Sequence, residues 1–317
     1  MLLNELLNIK YPIIQGAMAN ISDGLFAAKV SNAGALGVIA SGSHDSSWVE
    51  EQILIAKENT NKPFAVNVMM LSPYADSIFD VIIKNDVKIV TTGAGFPTKH
   101  MKSLVENNIK VIPVIASVAM AKRAERYGAF AVVAEGTESG GHVGEETTLV
   151  LVKAVKDEIN IPVIAAGGIA TGSQFNAALS LGAIGIQAGT IFLASKECNI
   201  SDEYKNIIIK AKDIDTVVTG RSLSAPVRVY RNKMAKYYLE LEREMESRLE
   251  LEKLTIGSLE KAIKGDTENG SLMMGMDACL IKEIKSIEDI LKDLMKELKE
   301  SKKELDLLFE KSINNNF

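Results

Sequence analysis

The sequence predicts an α/β fold, a (β/α)8 TIM barrel with a small helical domain inserted near the C-terminus, and three observations carry that expectation. From residue 12 to about 195, short β-branched runs alternate at close intervals with stretches of helical apolar spacing. The runs fall at 13–15, 36–40, 64–69, 88–92, 110–116, 131–134, 162–166 and 183–188, the strand number of a parallel barrel. Glycine and small polar residues recur where these runs end, at the face where barrels keep their chemistry. The rival, a doubly wound open sheet, would place Gly-x-Gly-x-x-Gly after its first strand. Here the first strand runs into Gln15-Gly16-Ala17-Met18 instead.

The 317 residues are 47% apolar, enough for a large core. A barrel takes ~250 residues, which leaves roughly 70 for an added module. The expected division is a barrel over 1–200, a small mostly helical unit over 201–268, and a return segment with a C-terminal helix over 269–317. A net charge of −5 argues against a nucleic-acid partner, which would show a basic bias over a whole domain. Cys198 and Cys279 stand far apart with no neighbouring cysteine, so neither a metal site nor a disulfide framework is expected, and a reducing, cytoplasmic setting follows. The N-terminal stretch lacks the apolar core of a signal peptide. No apolar run reaches the length of a membrane span, so no membrane partner is expected.

Taken in order, helices are expected at 23–31, 47–59, 118–127 and 147–157 between the strands. The first strand end offers Gly16, Ala17 and Met18, the third Asn67, the fourth Thr91, Thr92 and Gly93. The sixth strand ends in Ala134-Glu135-Gly136, then breaks into Gly140, Gly141 and Gly144 around His142. That glycine content marks a backbone needing unusual angles or close approach to a ligand. His142 is one of three histidines in the chain, and an imidazole there can exchange protons near neutral pH. After strand seven come Ala165-Ala166-Gly167-Gly168, and after strand eight Gln187-Ala188-Gly189-Thr190. In barrels these two loops commonly bind phosphate, because unpaired backbone N–H groups converge on the anion. The Thr190 hydroxyl is expected to add a donor.

Beyond Ser195 the alternation stops. Between Gly220 and Lys236 lie Arg221, Arg228, Arg231, Lys233 and Lys236 with no acidic residue, a local positive field suited to an anionic partner or nucleotide phosphates, or else a solvated face. Residues 271–276 bring Met273, Met274 and Met276, pocket lining or core filler. The final stretch, with Ile287, Leu291, Leu294, Leu298, Leu305 and Leu308, follows helical spacing and is expected to pack on the barrel or on a second subunit in a homodimer. Residues 312–317 are expected to fray.

With these motifs in place, the chain resembles the flavin-dependent enoyl-acyl-carrier-protein reductases of type II, relatives of nitronate monooxygenase, over nearly its full length. The matching pieces are Tyr11-Pro12-Ile13-Ile14-Gln15-Gly16, Val66-Asn67, Val90 to Gly95, Ala134-Glu135-Gly136 with Gly140-Gly141-His142, Ala165 to Ile169, and Gln187 to Thr190. The stretch Thr91 to Pro97 and the region 221–234 look like the reductases rather than the monooxygenases, while Ala17 and Met276 depart from the family pattern. The resemblance implies FMN across the barrel mouth with its phosphate in the two glycine loops. The flavin-contacting set would be Gly16, Ala17, Met18, Asn67, Thr92, Glu135, Gly141, Ala165, Gly167, Gly168, Gln187, Gly189, Thr190 and Met274, with His142 as the catalytic residue. It further implies NADH as hydride source and an enoyl thioester on acyl carrier protein as substrate, the last reductive step of bacterial fatty acid elongation. The alternatives are a nitronate monooxygenase using FMN and O2, and a flavin-free phosphate-binding barrel.

Overall fold

The alternation of short runs and helices resolves into a ring of parallel strands. The computed structural model describes residues 1–245 and 247–313. The strands in chain order are β1 (Ile13–Gln15), β2 (Gly37–Ala40), β3 (Phe64–Met69), β4 (Ile89–Gly93), β5 (Lys110–Ile115), β6 (Val132–Glu135), β7 (Gly141–His142), β8 (Val163–Ala166), β9 (Ile186–Ala188), β10 (Thr216–Thr219) and β11 (Val227–Tyr230). Neighbours in the large sheet run β1-β9-β8-β6-β5-β4-β3-β2, all parallel. A bridge between Ile14 and Leu36 closes the ring, with the Gln15 N–H donating to the Leu36 carbonyl at 2.9 Å. The eight expected runs are thus the eight barrel strands, a TIM barrel.

Side-chain alternation sorts each strand into two layers. Ile14, Val38, Ala65, Ile89, Ile112, Val133, Ile164 and Ala166 fill the barrel interior, whose lower end is plugged by Leu3 and Leu7 of the helix Leu3–Leu7. Ile13, Val132, Ala134, Val163, Ala165 and Ile186 point the other way, into the shell of helices. Residues at the top of the inward series, where the interior stops, therefore face an open mouth.

The small unit adds a short sheet to its helices, which the sequence reading does not include. Besides the helices Asp202–Lys210, Lys233–Arg243, Arg248–Thr255 and Ser258–Ile263, it holds the antiparallel pair β10–β11, and β11 pairs in turn with β7. The C-terminal helix Ile287–Ile313 buries Ile287, Leu291 and Leu294 against the barrel, chiefly along the helix Gly172–Ser180, where the Gly172 N–H donates to Glu297 at 2.8 Å. Beyond residue 301 its described side chains are exposed, among them Leu305, Leu307, Leu308 and Phe309. The helix continues through 312 and 313, where fraying was expected; residues 314–317 lie outside the described residues.

Two contacts set the helix Gly24–Ala33 close to its neighbours. A Cβ at Gly37 would stand 1.9 Å from the Ala27 carbonyl oxygen, and one at Gly24 2.1 Å from that of Gln52. Gly37→Ala is expected to overpack this junction and cost about 1–3 kcal/mol, read as a lower urea unfolding midpoint. An unchanged midpoint would show that strand and helix do not meet this closely.

Candidate active site

The inward alternation ends, on strand after strand, at one cavity of about 720 Å3 in the barrel mouth, within the range of ligand sites. Of the residues expected there, Gly16, Ala17, Met18, Asn67, Glu135, Gly141, His142, Gly167, Gly168, Gln187, Gly189, Thr190 and Met274 line it. Thr92 and Ala165 do not. Both point outward on their strands: Ala165 is packed under the helices, and Thr92 is fully buried with its hydroxyl turned to the Gly95 carbonyl at 3.4 Å. The inward partner on β4 is Thr91, which accepts from the Asn67 side-chain amide at 3.0 Å and so aims it.

The rim after β1 is held from behind by Gln15. Its amide donates to the Ser22 hydroxyl at 2.9 Å and to the Gly16 carbonyl, while its oxygen accepts from the Val38 N–H at 2.9 Å. Ser22 accepts in addition from the Met18 N–H at 3.1 Å. A buried, fully used glutamine thus fixes the curve of Gly16 to Met18.

The loop after β8 turns through positive φ at Gly167 (106°) and Gly168 (69°), angles that β-carbons resist. Behind it Glu138 accepts from the Thr148 N–H at 2.9 Å and its hydroxyl at 2.8 Å, capping the helix Thr148–Glu158. The N–H groups of Gly167, Gly168, Ile169, Gly189 and Thr190 have no hydrogen-bond partner among the described residues, and all five residues line the cavity. At Gly189 a Cβ would meet nothing within 4 Å, so the missing side chain leaves room over those donors. This suits an anion such as phosphate. The helix Thr190–Leu193 is a single turn, so the individual N–H groups, more than any helix dipole, must do the gripping.

The Thr190 hydroxyl is already committed. It donates to Asp277 at 3.1 Å and accepts from the Gly275 N–H at 3.0 Å, which joins the strand-eight loop to the return segment and corrects its expected role as a donor to phosphate. Asp277 also lines the cavity and was not singled out in the sequence. One signal was there: it is the one charged residue between Asn269 and Ile281.

Burial shapes the ionisable groups of the mouth. Glu135, inward at the top of β6, is pushed up to about 7 by loss of hydration. Ser139 Oγ, buried in the same wall, makes no hydrogen bond of normal geometry, although its nearness to Glu135 offsets part of that rise. Asp277 is pushed up to about 6 by burial, partly countered by the Thr190 hydroxyl. His142 is held below the ordinary imidazole value by the walls around it, although its ring is open to solvent through the mouth. At pH 7 the imidazole is therefore mostly neutral.

His142 is presented by β-pairing. Val227 and Arg228 of β11 stand opposite His142 and Gly141, and the Arg228 guanidinium donates to the Thr137 carbonyl at 2.9 and 3.1 Å. Arg228 is buried, so it clasps the loop and is not the surface cation suggested by its place in a basic run. Arg221 pairs with Glu145. Among the described residues no group of three or more His, Cys, Asp or Glu side chains converges to hold a metal, and no helix is long and apolar enough to cross a membrane.

Comparison with known proteins follows the same lines. The family profile described as Nitronate monooxygenase matches residues 1–81 and 72–297. A probable nitronate monooxygenase of Staphylococcus saprophyticus is 36% identical over 274 residues, 72% of this chain and 77% of the relative. Among solved structures, FabK from Thermotoga maritima superposes with a TM-score of 0.93 at 47% identity, covering 96% of this chain and 97% of that one. A nitroalkane oxidase from Streptomyces ansochromogenes gives 0.86 at 26% identity, covering 96% and 99%.

Because Asp277 is neutralised more easily in the fold than in the open chain, its contribution to stability is full below pH 3.8 and is lost as pH rises through about 6. Asp277→Asn, which keeps an oxygen for the Thr190 hydroxyl, is expected to remove that loss. The measurement is the difference in unfolding midpoint between variant and parent from pH 4 to 7; a difference independent of pH would contradict it.

Proposed function

The chain belongs to the nitronate monooxygenase family of oxidoreductases, and from that premise we propose that it is an FMN-containing, NADH-dependent enoyl-acyl-carrier-protein reductase. The observation that carries the reading is the 47% identity to FabK over 96% of the chain, against 26% to the nitroalkane oxidase over the same share. The reductase-like motifs at Thr91 to Pro97 support it.

The site fits FMN. The unpartnered N–H groups at Gly167, Gly168, Ile169, Gly189 and Thr190 suit the phosphate, and the space beyond Gly189 admits it. Asn67, aimed by Thr91, and Glu135, whose carboxyl burial pushes up to about 7, offer a donor and an adjustable donor or acceptor to the polar edge of a flat ring. Met18, Met69 and Met274 give it apolar walls. When bound, FMN would supply hydride transfer from NADH to the β-carbon of the enoyl thioester.

The chain's own residues handle what remains. Negative charge developing on the thioester oxygen needs donors placed in advance, and a proton must reach the α-carbon. His142, open to the mouth and clasped by β11, is the group we assign to that proton. Its low basicity makes an N–H of the neutral ring, or the small protonated fraction, the donor at pH 7. The desolvating walls that depress the imidazole also strengthen each hydrogen bond made inside them.

A second reading is favoured by the family profile and by the staphylococcal relatives: a nitronate monooxygenase in the same mouth. NADH oxidation that requires an added enoyl thioester supports the reductase, whereas oxygen uptake with a nitronate and no NADH supports the monooxygenase.

The purified protein is expected to carry flavin absorbance, and a colourless protein that refuses added FMN would leave only the barrel. Positioned proton donation is worth ~10²–10⁴ in rate. His142→Ala is therefore expected to lower turnover on the enoyl thioester by about that factor at unchanged flavin content. Equal turnover would remove His142 from the chemistry.

A further inference from the structure

The positive stretch that the sequence singled out is divided by the fold into two populations. Arg228 and Arg221 are consumed within the chain, one clasping the Thr137 carbonyl and one paired with Glu145. Lys233 is exposed but stands outside the groove that its neighbours form; Arg231 and Lys236, with Arg243 from beyond that stretch, are exposed and form no ion pair among the described residues. They converge on a groove of about 290 Å3 whose other lining residues are Val217, Leu239 and Glu240. Lys236, Glu240 and Arg243 stand at i, i+4 and i+7 on one face of the helix Lys233–Arg243, and Arg231 joins them from the residue just past β11. Three cations against one carboxylate make a positive depression on a protein of net charge −5.

The position of this groove relative to the mouth is informative. Val227 stands opposite His142, and four residues of β-strand, ~13 Å at ~3.3 Å per residue, separate it from Arg231. The groove shares no lining residue with the mouth, yet stands at a distance from His142 that an extended tether can span. The half-buried apolar Val217 and Leu239 among the lining residues give a helix something to pack on once its charges are matched.

We propose that this groove is the docking site for the acidic face of a carrier protein that presents the thioester on a flexible arm. The inference rests on the reductase reading of the mouth and adds the surface on which the carrier sits. Exposed cations at the rim of an interface act mainly by drawing in and orienting an oppositely charged partner, and their effect is screened by salt. The substrate arm is read by the cavity, and the carrier is read by Arg231, Lys236 and Arg243.

The test compares two enoyl thioesters, one on acyl carrier protein and one on neutral N-acetylcysteamine, with the FMN-loaded enzyme. The triple variant R231E, K236E, R243E is expected to raise KM for the carrier-bound substrate by about tenfold or more at low salt. Its kcat, its KM for the neutral thioester and its KM for NADH should not change. The single variant Lys236→Glu, a milder perturbation of the helix, should show the same selectivity with a smaller rise, about threefold. Added salt should raise the parent's carrier KM and leave the triple variant's nearly flat. If the neutral thioester is reduced and the carrier KM stays the same in both variants, the docking site is wrong while the reductase reading stands. A selective rise in KM for NADH would assign the groove to the dinucleotide and also overturn it. Failure of the parent to reduce either thioester would sink the reductase reading and the docking proposal together.

Discussion

The mouth of this barrel is organised by a two-residue β-ladder. Gly141 and His142 would belong to a long glycine-rich loop, and glycine gives such a loop freedom without direction. Pairing with Val227 and Arg228 turns the loop into an edge of a second sheet, and the Arg228 guanidinium closes over Thr137 from the same strand. A charge-bearing donor held on a half-buried carbonyl is among the stronger neutral-acceptor contacts a protein makes. The rest follows from this clasp: the imidazole faces the cavity, the small unit is anchored beside it, and β11 leads on to the return segment through the bridge between Val229 and Met273.

The cavity shows two electrical characters. At one side, backbone donors stand without partners on the turns after β8 and β9. Beside them Asp277, held by the Thr190 hydroxyl, is displaced toward its neutral form by burial, and elsewhere in the mouth Glu135 and His142 are displaced the same way. A ligand that is anionic at one end and uncharged but hydrogen-bonding across a flat body satisfies both. A ligand carrying charge throughout would meet desolvated walls along most of its length.

Much of this was readable in the sequence, for definite reasons. Barrel strands announce themselves because each is a short apolar run between helices, and their C-terminal ends announce a site because glycine and small polar residues are costly anywhere else. Thr92 and Ala165 were misplaced because a motif names neighbours in the chain, whereas a strand sends neighbours to opposite faces. Counting in twos from Asn67 and its partner on β4 reaches Thr91, and from Ile164 reaches Ala166. β7, β10 and β11 escaped notice for another reason. A two-residue strand has no period, and its partner lies 85 positions downstream, where the basic residues gave the segment a surface reading. Arg228 looked like its exposed neighbours because charge in sequence carries no information on burial.

The chain's route also has a temporal consequence. All the barrel strands have been made by residue 188, yet Met273, Met274 and Asp277 complete the cavity wall from beyond the small unit. The Thr190 hydroxyl waits for Gly275 and Asp277, and the Tyr204 hydroxyl for the Met273 carbonyl at 2.7 Å. Every ring strand is therefore translated before the segments that finish the chamber. A chain cut short before residue 277 would own all eight staves but lack one side of the vessel.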